Sequence, residues 1–315
     1  MTALSPPRHT DTARGILFLV AGVAVFSLQD VILKWLAGDY PLHQAMVIRS
    51  LTAIPFLLVL LHLEGGVRHL FTPGTRAMIG RGLIMFLAYF AYYIALPALP
   101  LATTVALYFS APLFITALSV LLLGETVGPR RWIALAFGFA GVLVVVRPGS
   151  ALFDWAAILP VLSGLCYALS MIHARKLGTT ETAAALAFWG NAVFLGLALV
   201  LSAIFGTGAF EGAAHPSLAF LTRGWVTPTA FDLALMVATG IVAALGLTFL
   251  TQAYRLAEAS VVTPFEYTAM VWGLLWGWLV WREWPDALSW AGIAVIIGAG
   301  LYVLWRETRA PRQTG

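Results

Sequence analysis

Long apolar runs, broken by brief polar or proline-bearing turns, recur from "GILFLVAGVAVFSLQDVILKWL" (15–36) to "ALSWAGIAVIIGAGLYVLW" (287–305). A helix needs roughly 20 mostly apolar residues to cross the hydrocarbon core, and it satisfies its own backbone there. The pattern therefore predicts spans at about residues 14–36, 42–62, 76–97, 100–123 and 130–147. Five more follow at about 152–174, 182–205, 230–254, 259–281 and 287–305. Pro97 and Pro100 in "LPALPLA" end one helix and start the next. The first run has the basic approach of a signal peptide, but it continues through Asp30 to Leu36 and has a counterpart later in the chain, so it reads as a span. The outer loop 206–229 is the one sizeable segment between spans; its Leu218, Phe220, Leu221 and Trp225 suggest a piece lying on the membrane interface.

Composition agrees with lipid as the outer solvent. The 315 residues are 61% hydrophobic and 10% charged, whereas soluble domains run about half apolar and a quarter charged. The net charge of +4 comes from scattered basic residues, which argues against nucleic acid as a partner. Cys166 is the single cysteine, so an internal disulfide is excluded.

Alternating the basic residues between the two sides of a ten-span chain places thirteen on one side and three on the other, with Lys34 and Arg49 inside spans. Cytoplasmic loops carry the excess of Lys and Arg, so both termini, 1–13 and 306–315, are expected in the cytoplasm. A bacterial inner membrane is the expected location.

The chain also resembles itself. At an offset of 158 residues, "LLLGETVGPRRWIALAFGFAGVLVV" meets "WLVWREWPDALSWAGIAVIIGAGLYV", aligning Glu125 with Glu283 and Trp132 with Trp290. At an offset of 141, "FSLQDVILKWL" meets "YALSMIHARKL". Because five is odd, two five-span copies cross in opposite senses, the architecture of alternating-access transporters. The expected fold is thus an all-α membrane protein with repeats at 14–147 and 152–305.

The stretches "LPLATTVALYFSAPLFITALSVLLLGE" (99–125) and "GFAGVLVVVRP" (138–148), with the second copy "ASVVTPFEYTAMVWGLLWGWLVWREWPD" (259–286), resemble the EamA-type domain of the drug/metabolite transporter superfamily. The resemblance implies ten helices in two inverted halves around a cavity lined mainly by helices 1, 3, 4, 6, 8 and 9. It also implies movement of small metabolites, often amino acids and usually outward. Two departures stand out: Arg282 replaces Gly124 and Met270 replaces Pro112, which predicts a straighter ninth helix than the fourth.

Ionisable residues inside spans are costly and mark cavities or partners. Glu266 shares a helical face with Gly273 and Gly277, a close-packing pair, and is expected about two turns into the ninth span. It is a candidate for a substrate ammonium or a coupling proton, with a structural acid as the alternative. Gly138 and Gly141 are further packing candidates. Asp30 and Lys34, four apart, form a candidate helical ion pair. Gln29, its repeat mate Ser170 and neighbouring Tyr167 could line a cavity, as could Tyr89 and Tyr108, the latter at the repeat position of Glu266. Thr248, Thr251, Gln252 and Arg255 make a polar stripe on the eighth span; Trp272 and Trp276 are candidates for an aromatic wall. Arg49 is expected to snorkel or to pair with an acid.

The sequence has no Walker-type loop, HExxH, Cys/His metal set or G-x-S-x-G elbow. No cofactor or enzymatic activity is therefore expected. The expectation is a secondary transporter of a small polar metabolite, foremost an amino-acid exporter. The alternatives are an importer of a vitamin or nucleotide-like metabolite and, from another class, a membrane scaffold or polytopic enzyme. Proton coupling and oligomeric state stay open.

Overall fold

A computed structural model describes residues 9–124, 128–177, 181–256 and 263–309. Among them there is no strand. The first part of the chain contributes α1 (His9–Leu36), α2 (Leu42–Leu63), α3 (Thr75–Ala95), α4 (Leu101–Tyr108), α5 (Ala111–Leu123) and α6 (Pro129–Val146). The second contributes α7 (Ile158–Leu177), α8 (Ala183–Phe205), the short α9 (Pro216–Thr222), α10 (Ala230–Leu256), α11 (Thr268–Trp281) and α12 (Ala287–Arg309).

Among the described residues seven stretches are long and apolar enough to cross a bilayer, Leu101–Leu123 among them even though it joins α4 to α5. Shorter apolar stretches lie at Trp132–Val146 and Ala230–Gly246. The run expected over 259–281 divides into a 3-10 turn, Thr263–Tyr267, and the 14-residue α11.

The break between α4 and α5 has a local cause. Pro112 has no N–H to give the Tyr108 carbonyl, so the ladder stops there. Gly164 of α7 closes on the break: an added Cβ would lie 3.0 Å from the Tyr108 carbonyl and 3.0 Å from Ser110 Oγ. The straighter ninth helix expected from Met270 is not found. The helix is interrupted at Tyr267, the repeat position of Phe109, and the Tyr267 and Phe109 rings stack at 4.6 Å. Gly300 of α12 leaves the room that the Tyr267 hydroxyl end occupies. The other departure is absorbed: Arg282 ends α11 in the left-handed conformation (φ 59°) that Gly124 adopts after α5 (φ 70°). That conformation costs a non-glycine residue about 1–2 kcal/mol, and the Arg282 guanidinium settles 5.1 Å from the centre of the Trp278 ring. Glu125 lies outside the described residues.

The most extensive helix contacts all join the first part of the chain to the second. α1 packs on α10, α6 on α12, α3 on α7 and α8, α2 on α8 and α10, α5 on α7, and α4 on α11. Small residues let these pairs approach. At the α6–α12 crossing an added Cβ on Gly141 would lie 3.0 Å from the Gly292 carbonyl, and at Gly138 it would run into Leu113 and Ala299. Gly273 faces Val105 and Ala102 of α4, and Gly277 faces Leu101.

The 206–229 loop is strapped down. Arg223 donates to the carbonyls of Ala37 (3.1 Å) and Tyr40 (3.2 Å), and Gln44 exchanges hydrogen bonds with the Val226 backbone at 2.7 and 3.1 Å. Phe220, expected on the interface, is instead fully buried against α2 and α3, because α9 caps the bundle there. Leu218 and Trp225 remain exposed.

Candidate substrate site

The polar residues that the apolar helices have kept converge between α1, α2, α3 and their neighbours. Gln29 of α1 is 2% exposed and donates through Nε2 to the Tyr93 hydroxyl at 2.6 Å. Its Oε1 accepts from Arg49 Nε of α2 at 3.3 Å. One residue on, Asp30 Oδ2 accepts from the Tyr92 hydroxyl at 3.0 Å. Lower on the same helix, Ser27 Oγ accepts from the Trp276 indole of α11 at 2.9 Å. A polar group in this setting is costly unless bonded, and these bonds tie α1 to three partners.

Around this network runs a continuous set of rings. Phe194 of α8 meets Tyr89 at 5.5 Å; Tyr89 meets Tyr93 at 5.7 Å, and Tyr93 meets Tyr92 at 6.1 Å. Tyr92 meets Tyr108 of α4 at 5.5 Å, which meets Tyr167 of α7 at 5.8 Å. Most of these pairs are edge-to-face, the geometry that ring quadrupoles favour.

Gln29, Tyr89, Tyr108 and Tyr167 are thus brought together. Glu266 is part-buried in the 3-10 turn before α11, rather than two turns into a helix, because the ladder is interrupted at Tyr267. Ser170 is fully buried on α7, and its hydroxyl has no hydrogen-bond partner among the described residues. Gln252 is part-buried on α10; the side chains of Thr248, Thr251 and Arg255 lie outside the described residues. Trp272 packs with Leu19, Val23 and Ala253 in an apolar cluster, away from the rings.

The Asp30–Lys34 pair is not formed. Lys34 turns to the far end of α11, where Nζ donates to Glu283 at 2.7 and 2.8 Å and to the Leu99 carbonyl at 2.6 Å. Three donors are satisfied there, which a single intrahelical partner cannot match. Glu283 also accepts from Leu101 N at 3.1 Å, capping α4 across the bundle. Arg49 does not snorkel, and it pairs with no acid among the described residues. It turns inward, its guanidinium carbon 5.5 Å from the centre of the Phe194 ring. Phe194 carried no signal in the sequence beyond being aromatic, whereas Tyr92 shares a helical side with Tyr89 and Tyr93, and Arg49 was visible as a charge in the apolar run "AMVIRSLTAI" (45–54).

A family model described as the EamA-like transporter family matches residues 13–147 and again 154–305. The chain belongs to the EamA-like transporter family. It is 32% identical over 300 residues to a riboflavin transporter of Rhizobium johnstonii, covering 95% of this chain and 93% of the relative. It is 24% identical to an S-adenosylmethionine uptake transporter of Rickettsia prowazekii, over 94% of each chain. A pseudopaline exporter of Pseudomonas aeruginosa is 28% identical, over 90% of this chain and 94% of that one. A solved crystal structure shares the fold at a TM-score of 0.59 with 18% identity, over 96% of this chain and all of the other. These EamA relatives are drug/metabolite-type transporters, and the chain is a multi-pass integral membrane protein whose relatives carry small metabolites.

Proposed function

We propose that the protein carries a planar, ring-bearing metabolite of the vitamin class across a bacterial inner membrane by alternating access. The single observation that carries this reading is the ring set from Phe194 through the tyrosines to Tyr167, wrapped around Gln29, Arg49 and Asp30. Flat solutes gain from stacking on such rings, and a few placed polar groups orient them. A free amino acid, the substrate favoured by the sequence, would leave most of those rings without a partner. The riboflavin transporter relative supports the same class.

The architecture proposed is ten spans in two inverted repeats, 14–147 and 152–305, with both termini cytoplasmic. Its support is a symmetry in the packing. Number the spans α1, α2, α3, α4 with α5, α6, α7, α8, α10, the 3-10 turn with α11, and α12. Exchanging each span with the one five places away turns the α1–α10 pair into α7–α3, and α3–α8 into α10–α2. The double match of the family model fits the same division. Glu266, the part-buried acid of the 3-10 turn before α11, is assigned the coupling proton.

Proteoliposome counterflow tests the proposal. Liposomes loaded with riboflavin are expected to exchange labelled riboflavin saturably, while those loaded with amino acids do not. Glu266→Gln is expected to retain counterflow but lose accumulation driven by a pH gradient. Exchange of amino acids alone would overturn the substrate reading, and gradient-driven uptake by the Gln variant would remove Glu266 from coupling.

A further inference from the structure

We infer that Arg49 is the residue that reads the substrate, its guanidinium taking the carbonyl oxygens on the polar edge of the transported ring. The inference rests on the ring-bearing substrate proposed above and assigns its recognition to one side chain. Arg49 lies seven residues into α2, about 10 Å along the helix from its outer end, so its charge is inside the hydrocarbon layer. A cation there is costly and is retained when it has a task.

Its partners within the protein do not account for that charge. Of five N–H donors on a guanidinium, Nε is engaged, by the neutral amide oxygen of Gln29. Among the described residues the ion pairs are Lys34–Glu283, Arg147–Asp286 and His215–Asp154, so no carboxylate balances Arg49 directly. The two terminal nitrogens have no hydrogen bond among the described residues, and neither is among the fully buried unpartnered atoms. They form an accessible fork of four donors.

The surroundings select what the fork takes. Phe194 lies under the guanidinium, and the Tyr89 and Tyr93 rings continue from it. A planar ligand stacked there turns its edge, not its face, toward the fork. Asp30 adjoins Gln29 and faces Tyr92, so an acid lies close to the base, which suits a neutral ligand better than an anion. A ring edge bearing carbonyl oxygens meets both conditions. Gln29 holds Arg49 by one nitrogen and is itself fixed by Tyr93, so the fork is oriented before the ligand arrives.

The test uses the purified full-length protein and three probes: riboflavin; lumichrome, which keeps the carbonyl edge but lacks the hydroxylated chain; and tryptophan. Binding is read by fluorescence quenching for the first two and by counterflow for all three, with native protein, Arg49→Gln and Arg49→Lys. Hydrogen bonds to a charged group contribute about 1.5–3 kcal/mol, so Arg49→Gln is expected to weaken riboflavin about 10- to 150-fold. Lumichrome is expected to weaken by the same factor. Arg49→Lys is expected to fall between, since an ammonium cannot reproduce the planar fork, and it carries the test if the Gln variant does not fold. Unchanged riboflavin affinity in Arg49→Gln, or in Arg49→Lys if that variant carries the test, overturns the inference and leaves the substrate class standing. Loss for riboflavin with none for lumichrome also overturns it, because Arg49 would then read the chain and not the ring. Native protein that exchanges tryptophan and not riboflavin overturns the substrate class itself, and a tryptophan loss in Arg49→Gln would then identify a carboxylate receptor in place of the carbonyl one.

Discussion

Replacing Lys34 by methionine keeps the apolar stem and removes the charge from a site where all three ammonium donors are engaged, two by Glu283 and one by the Leu99 carbonyl. The lysine side chain is 5% exposed and the carboxylate 27%. Breaking a fully buried pair by removing one partner costs about 3–5 kcal/mol, most of it the penalty of stranding the other charge. Glu283 keeps some water and its bond from Leu101 N, so the expected loss lies near the lower end, about 3 kcal/mol. Glu283→Gln is expected to cost less, about 2 kcal/mol, because an amide oxygen still accepts from Lys34. With both changes the stranded charges disappear together, so the double variant is expected to be more stable than the sum of the singles by about 1–3 kcal/mol. Reversible unfolding in mixed micelles of the four proteins measures this cycle. Additive single losses, with a coupling below about 0.5 kcal/mol, would refute the claim that the two groups act as a pair.

Two further outcomes follow from the packing and the loops. Gly141→Val is expected to destabilise by about 1–3 kcal/mol through overpacking at the α6–α12 crossing, whereas Gly298→Ala, with open space around it, is expected to be neutral or mildly stabilising; melting temperatures of the two variants check the contrast. The Asp286 carboxyl, outside the spans, is held well below the usual carboxylate range by its hydrogen bond from Arg147. A depressed pKa contributes stability above the unfolded value, near pH 4, and loses it only as pH falls through the lower folded value. Asp286 is half exposed, so Asp286→Asn is expected to shift stability little and to leave its pH dependence between about pH 5 and pH 8 unchanged; a thermal-melt series over that range measures both.

Much of the architecture could be read from apolar run lengths, because a span must be apolar along its whole length whatever its neighbours are. Helix interruptions were less legible. The one at Phe109 is announced by Pro112, but its mate at Tyr267 depends on the space that Gly300 leaves on another helix, which no local pattern encodes. The site was half visible for a related reason. Gln29, Tyr89, Tyr108 and Tyr167 are conspicuous as polar or amphipathic residues in lipid-length runs, and they do assemble. Lys34 was assigned a local partner because helical spacing gives only those, and Arg49 was expected to snorkel or to meet an acid, while the actual partners lie 249 and 20 residues away in sequence.

The pairing of every early helix with a late one sets the order of events at the ribosome. α1 leaves the translocon with its main partner, α10, some two hundred residues from being translated, and α6 waits for α12. Loop closure over such separations is slow. The early helices are therefore made long before their main partners, and they are held meanwhile by lipid and by the few bonds among α1, α2 and α3. A chain stopped midway through synthesis would leave a set of unpaired helices for membrane quality control to remove. Lys34 on α1 would face that interval without Glu283, a burden on biogenesis that ends when the closing helices arrive.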